Sequence, residues 1–174
     1  MDGESRWVAV WDPLVRVFHW ALAGSVVLAC VTDSELTIHE TAGYVALALV
    51  AVRLVWGLVG PTYARFSNFV RGPRVVLTYL GDLMRFRARR QLGHNPAGGA
   101  MIVAMLLVIA TESISGWLSE TDRFFATWWI EATHSIGANV LIVLVICHVI
   151  GVLATSVLYK ENLPRAMITG RKRP

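Results

Sequence analysis

The chain has 174 residues, of which 55% are hydrophobic and only 16% are charged. In soluble domains about a quarter of all residues are charged. This composition therefore excludes an ordinary soluble domain and predicts a membrane protein. The net charge of +4 does not indicate nucleic-acid binding, because the arginines flank apolar segments and form no patch interleaved with aromatic side chains.

Four segments are apolar over the length of about 20 residues that a helix needs to cross a bilayer. We place these spans, in chain order, at residues 14–31, 41–59, 98–118 and 134–158. Between the second and third spans, residues 73–91 have apolar side chains at helical spacing and arginines on the far side and at the end, which predicts an amphipathic interfacial helix. We expect an all-α membrane protein, a four-transmembrane-helix bundle that forms one domain over residues 1–174.

The distribution of basic residues predicts the orientation of the spans. The loop between the second and third spans and the C-terminal tail contain twelve of the basic residues, which are Arg65, Arg71, Arg74, Arg85, Arg87, Arg89, Arg90, Lys160, Arg165, Arg171, Lys172 and Arg173. The other two loops contain one, Arg123. Because basic loops stay in the cytoplasm, we expect both termini and the amphipathic helix on the cytoplasmic side.

Four histidines lie in these spans or at their ends. His134 and His148 are fourteen residues apart on the fourth span, so their rings share nearly one helix face and lie roughly 21 Å apart along the axis. The orientation places His19 with His148 toward the cytoplasm and His39 with His134 toward the outer side. Ionisable side chains within a membrane are costly and mark functional sites. The pattern therefore predicts two metal sites at two depths.

Haem iron suits two such pairs of imidazoles. Two histidine ligands keep the iron six-coordinate in both oxidation states, so that electron transfer needs little rearrangement. Zinc prefers tetrahedral sites with additional cysteine or carboxylate ligands, which these pairs do not supply. We predict two haem b groups, the inner one held by His19 and His148 and the outer one by His39 and His134. A non-redox membrane protein whose histidines carry protons or a metal is the alternative from another class.

Arg16 and Arg53 are the candidates for binding the propionates of the inner haem. Arg16 precedes His19 by three residues and shares its helix face. Arg53 stands in HETAGYVALALVAVR where His148 stands in the similar run HSIGANVLIVLVICH, so we expect it at the depth of the inner haem. A buried carboxylate needs a paired charge. The alternative for both is an arginine that extends toward the interface.

Two other polar residues leave alternatives open. His94 is either a polar residue at the interface or a hydrogen-bond donor to a haem propionate or a quinone carbonyl. Glu112 lies toward the outer end of the third span, where an unpaired acid is costly. It is either neutral and hydrogen-bonded to a serine or a proton carrier for a quinone.

Several motifs resemble the bacterial cytochrome b561 and nickel-hydrogenase b-type cytochrome family. These are WDPLVRVFHW, the His39-x3-Gly43-Tyr44 start of the second span, RLVWGLVG, YARFSNFVRGP, GHNPAGG and the His134/His148 pair. The resemblance implies a four-helix bundle with two b haems in the bacterial inner membrane, with ligands at the four histidines paired as above. Hydrogenase-type relatives are expected to have five spans, whereas this chain has four.

The resemblance also implies a function. We expect a multi-pass cytochrome that relays electrons between the quinone pool and a periplasmic redox partner such as a cytochrome c, which the acidic outer loops attract. The alternatives are a superoxide:quinone oxidoreductase and the membrane anchor of a hydrogenase or dehydrogenase. An electron-transfer protein is favoured over a stand-alone enzyme. The expected partners are membrane lipid, quinone and a redox protein, and a homodimer is compatible with so small a bundle.

Overall fold

The structure is a computed structural model that describes residues 7–33 and 36–174. Seven helices form most of it, and two strands of two residues pair antiparallel near the ends of the chain. The elements are β1 (Val8–Ala9), α1 (Pro13–Val31), α2 (Thr37–Val59), α3 (Phe66–Phe69), α4 (Pro73–Met84), α5 (Pro96–Ser119), α6 (Trp128–Leu158), α7 (Leu163–Thr169) and β2 (Arg171–Lys172). The predicted all-α fold class is confirmed.

Four of these helices, α1, α2, α5 and α6, are long and apolar enough to cross a membrane. They coincide with the four predicted spans, but α2 and α6 begin several residues earlier than the apolar pattern indicates. Glu40 and Glu131 occupy their first turns. A carboxylate there faces the positive end of the helix dipole, so polar residues extend these helices beyond the apolar stretch.

Contacts between residues divide the chain into two compact units. The first unit comprises Met1–Arg16, Trp56–Val103 and Cys147–Pro174, and the second comprises Val17–Val55 and Ala104–Ile146. Each unit is described by itself below. The single domain over residues 1–174 stays a prediction.

In the first unit the two ends of the described chain are joined. Val8 pairs with Lys172 and Ala9 with Arg171, and the backbone N–H groups of Val10 and Trp11 donate to the carbonyl of Gly170 at 2.9 and 3.1 Å. Gly170 has a φ of +79°, which only glycine adopts at no steric cost. Val10, Trp11 and Ala166 are buried together, so α7 and the N-terminal segment share one small apolar core.

An ionic cluster holds the C-terminal tail in the same unit. Arg90 donates to Glu161 at 3.0 Å, and the ammonium group of Lys172 lies 3.8 Å from the other carboxylate oxygen. Burial by itself raises the pKa of Glu161, but the hydrogen bond from Arg90 and the positive charges of Lys172 and Arg90 outweigh it, so the pKa lies below its ordinary value. Glu161 is therefore a carboxylate at neutral pH.

The predicted amphipathic helix is shorter than expected. It ends at Met84 rather than at residue 91, because Phe86 adopts a left-handed conformation with a φ of +57°. The N–H groups of Phe86 and Arg87 donate to the carbonyls of Leu83 and Asp82 at 3.0 and 2.8 Å, the pattern of a Schellman motif, in which glycine usually occupies the left-handed position. The location of α4 on the cytoplasmic membrane surface stays a prediction.

Candidate functional site

The two histidines predicted to lie toward the outer side lie close together in the second unit. His39 is in the first turn of α2, and His134 is in the second turn of α6. Their ring centroids are 6.2 Å apart, and the ring planes are inclined at 71° to each other. The fold thus brings together two side chains that are 95 residues apart in the sequence.

A backbone carbonyl lies behind each of these rings. Nδ1 of His39 is 3.0 Å from the carbonyl oxygen of Ala29 on α1, and Nδ1 of His134 is 3.1 Å from the carbonyl oxygen of Glu112 on α5. The hydroxyl of Ser115 also lies 3.2 Å from Nδ1 of His134. Because a carbonyl oxygen can only accept, each Nδ1 is the donor, and Nε2 is the ring nitrogen left for another partner.

This geometry fits a metal bound between the two rings. Imidazoles that bind one ion from opposite sides, with metal–nitrogen bonds of about 2 Å, have centroids roughly 6 Å apart. Histidine ligands usually donate their other ring N–H to a carbonyl or carboxylate, as both do here. In residues 7–33 and 36–174 no group of three or more histidine, cysteine or acidic side chains is arranged to hold an ion. Haem suits a two-histidine site, because the porphyrin supplies the other four ligands.

Two glycines allow close packing around His134. A Cβ at Gly116 would lie 3.1 Å from Cε1 of the His134 ring, so glycine lets the ring lie close to α5. A Cβ at Gly137 would collide with Oε1 of Glu112. The carboxyl group of Glu112 is buried, and its Oε2 lies 3.6 Å from Nδ1 of His134.

The predicted residues of the inner site are distributed over both units. His19 belongs to the second unit, where its ring meets that of Trp20 edge to face at 5.0 Å. His148 belongs to the first unit and is half-buried. Their pairing stays a prediction. Arg53, on α2 in the second unit, is only 2% exposed.

Part of the Arg16 side chain is hydrogen-bonded within the protein. Within the first unit its guanidinium group donates to the backbone carbonyl of Ile168 in α7. Its Nε is buried and has no hydrogen-bond partner within the described part of the chain. An additional acceptor, such as a carboxylate, would satisfy that nitrogen.

His94 lies between two aromatic rings in the first unit. The ring centroids of Trp11 and Phe69 are 4.4 and 4.7 Å from that of His94. The next residue, Asn95, directly precedes α5. Its side-chain oxygen accepts from the N–H of Gly98 in the first turn of that helix at 2.7 Å. The sequence placed His94 at the interface but did not reveal the aromatic neighbours.

Residues 10–170 match the sequence model of the family described as prokaryotic cytochrome b561. The chain belongs to this family. It is 22% identical over 214 aligned positions to a protein of Rhodobacter capsulatus named "Probable Ni/Fe-hydrogenase B-type cytochrome subunit", an alignment that covers 95% of this chain and 81% of that subunit. No solved structure matches the chain.

Family membership confirms the coarse part of the sequence prediction. The protein is a multi-pass membrane cytochrome of the b type that binds haem b and transfers electrons. The four histidines, with Arg16 and Arg53, remain predicted site residues of this cytochrome.

Sequence reasoning missed the groups behind the outer histidines. Ser115 follows Glu112 by three residues and therefore shares its helix face, a signal that was present in the sequence. The carbonyl of Ala29 had no such signal, because a backbone acceptor is the same in every residue.

Proposed function

We propose that this cytochrome relays electrons across the bacterial inner membrane through two haems, between quinone and a redox partner on the periplasmic side. The adjacent pair of His39 and His134 is the observation that carries the proposal. With a ring separation of 6.2 Å and each Nδ1 bonded to a carbonyl, these two imidazoles would hold a haem between them.

Haem supplies a one-electron change at iron, and the protein supplies ligands, orientation and a dry environment. His39 and His134 present imidazole nitrogens from two different helices. The carbonyls of Ala29 and Glu112 hold the rings by their Nδ1–H groups, so the ligands are oriented in advance. A site oriented in this way changes little between oxidation states, which keeps electron transfer fast.

For the inner haem the proposal rests on the sequence. His19 and His148 are the proposed ligands, and Arg16 and Arg53 are the proposed partners of the propionates. The buried Nε of Arg16 supports its role, because an extra acceptor would satisfy a donor that otherwise lies unpaired within the described residues.

Haem content tests the ligand assignment. We expect His39→Ala and His148→Ala each to reduce the haem content from two per chain to one, measured as haem extracted per purified chain. His94→Ala is the matched control and should retain two. A His39→Ala protein that keeps two haems would contradict the outer site.

The redox partner is proposed from the relative and from the outer loops. The name of the Rhodobacter capsulatus protein favours a hydrogenase or another redox enzyme as the partner. Asp33, Glu120 and Asp122 are exposed in the loops that we assign to the outer side, which favours a basic partner such as a cytochrome c, whereas Glu35 lies outside the described residues. Arg123, also exposed there, reduces this bias.

A rapid-mixing experiment separates the relay from an enzyme. Oxidised, haem-loaded protein is mixed anaerobically with a quinol and, in parallel, with superoxide, and the haem absorbance is followed. Reduction by quinol and reoxidation by added cytochrome c would support the relay. Rapid reduction by superoxide, followed by reduction of added quinone, would favour a superoxide:quinone oxidoreductase instead.

A further inference from the structure

We propose that Glu112 is a positioning residue that orients and polarises His134 and so lowers the reduction potential of the outer haem. The inference rests on the proposed function, because it requires His134 to be a haem ligand. It concerns a side chain for which the family assignment supplies no role.

The carboxyl group of Glu112 is inserted into one face of α6. Its Oε2 lies 3.6 Å from Nδ1 of His134, and its Oε1 lies where a Cβ of Gly137 would otherwise be. His134 and Gly137 are three residues apart and are therefore neighbours on the helix surface. The carboxyl group thus contacts the ligand on one side and the glycine on the other.

The carboxyl group of Glu112 and its neighbour Ser115 are both buried. Glu112 is 8% exposed and Ser115 is 5% exposed. The hydroxyl of Ser115 donates to the carbonyl oxygen of Glu112 at 3.1 Å and also lies near Nδ1 of His134. The backbone carbonyl oxygen of Glu112 lies 3.1 Å from this ring nitrogen and its carboxyl Oε2 lies 3.6 Å from it.

One oxygen of this carboxyl group is left unsatisfied. Oε1 of Glu112 is buried and has no hydrogen-bond partner among the residues that the structure describes. A buried polar atom without a partner is destabilising, and such atoms in native proteins call for an explanation such as a functional role. An apolar side chain of similar size would pack against Gly137 without that cost. We infer that the functional role of this carboxyl group is its contact with His134.

The effect on the ligand follows from electrostatics. An acceptor behind the Nδ1–H group draws the proton toward itself and makes Nε2 a stronger donor to a metal. A stronger donor favours the ferric over the ferrous state of a bound iron. Within residues 7–33 and 36–174, the backbone carbonyl of Ala29 lies behind His39, whereas His134 also has the carboxyl group of Glu112 nearby.

A redox titration of the Glu112→Gln protein tests the proposal. Glutamine keeps the shape of the side chain and replaces one acceptor oxygen of the carboxyl group with an NH2 group, which cannot accept from Nδ1. We expect the midpoint potential of the outer haem to rise and that of the inner haem to remain unchanged. Glu131→Gln is the matched control, since Glu131 is an exposed acid on α6 and should shift neither potential.

A second variant moves the carboxyl group without removing it. In Gly137→Ala the new methyl group collides with Oε1 and displaces the side chain from His134. We expect a shift of the outer haem's low-spin ferric electron paramagnetic resonance signal, which depends on ligand orientation. A purely structural role of Glu112 would leave the potential and this signal of the loaded protein unchanged.

The outcomes separate the inference from the proposed function. Two haems with unshifted potentials in Glu112→Gln overturn the inference. A raised potential of the outer haem, with the inner haem's spectrum and potential intact, supports it, since misfolding would disturb both haems. If His134→Ala retains two haems, the ligand assignment itself fails and the inference fails with it. If His134→Ala loses one haem while Glu112→Gln changes nothing, only the inference fails.

Discussion

The groups behind the two outer histidine rings are the features that act at the scale of single residues. Each Nδ1 donates to a carbonyl, so each ring is held by that hydrogen bond and its Nε2 is left for a metal. Around His134 there is an additional hydroxyl, that of Ser115, at 3.2 Å. Within the described residues, the ring of His134 therefore has a hydroxyl neighbour in addition to its carbonyl.

Replacing Ser115 by alanine should weaken haem retention without abolishing it. Loss of a residue that supports a metal ligand costs about 10–100-fold in affinity. Because the carbonyl of Glu112 still accepts from Nδ1, we expect a loss of about 10-fold in haem affinity. The measurement is the transfer of haem to an excess of a soluble apoprotein. Ser113→Ala, two residues away on the same helix, is the control, and equal retention in both variants would argue against the prediction.

Helix ends show how local backbone geometry determines the elements. The last turns of α4 and α6 close in the same way, with Phe86 and Lys160 in left-handed conformations at φ of +57° and +49°. Neither is glycine, so each end carries a steric cost that the surrounding hydrogen bonds outweigh. The early end of α4 therefore depends on backbone bonding, which a periodic apolar pattern does not report.

Replacing Phe86 by glycine should stabilise the protein. A left-handed conformation costs a residue with a side chain roughly 1–2 kcal/mol, and glycine avoids this cost. Part of the resulting gain in stability is lost, because glycine has more conformational freedom in the unfolded chain. Phe86 is 81% exposed, so little packing is lost, and we expect a net gain of about 1 kcal/mol. Thermal unfolding in detergent measures it. Phe125→Gly, another exposed phenylalanine without a positive φ, should show no gain.

The ionic cluster of Glu161 makes the first unit sensitive to acid. The pKa of Glu161 is lower in the folded chain than when unfolded, so its contribution to stability is complete above the unfolded pKa and is lost as the pH falls through the folded one. Below a pH of about 4.3 the wild-type unfolding temperature should therefore fall more steeply than that of Glu161→Gln. Parallel curves for the two proteins would contradict this, and Glu120→Gln serves as the exposed control.

At the scale of the whole molecule, charge distribution is the feature that predicts orientation. The tail that joins β1 in the first unit contains Arg171 and Lys172, and the segment after α4 contains four arginines. Positive segments of this kind remain on the cytoplasmic side. The segment between α5 and α6 contains Glu120, Asp122 and Arg123 and has no such excess.

Protease accessibility tests that orientation. A tag at the C-terminus should be protected in intact spheroplasts and cleaved only after lysis. A cleavage site inserted after Glu120 is the matched control and should be cut in intact spheroplasts. The reverse pattern would invert the assignment of the inner and outer haems to the two sides.

Much of this protein is determined by local sequence. The four spans follow from the transfer of apolar side chains out of water, which depends on composition over about 20 residues. The spacing of His134 and His148 follows from the helical repeat, and family membership confirms the haem protein that these histidines predicted. The fold class and the chemistry could therefore be predicted from the chain alone.

Only the tertiary structure decided what surrounds each site residue. Three contacts join residues of different helices. They are the carbonyl of Ala29 near His39, the carboxyl group of Glu112 against Gly137, and the hydrogen bond from Arg16 to the carbonyl of Ile168. Such contacts depend on how each helix is rotated about its axis and on which helix lies beside it. Apolar spans carry little signal for either, because nearly every face of a membrane helix is hydrophobic.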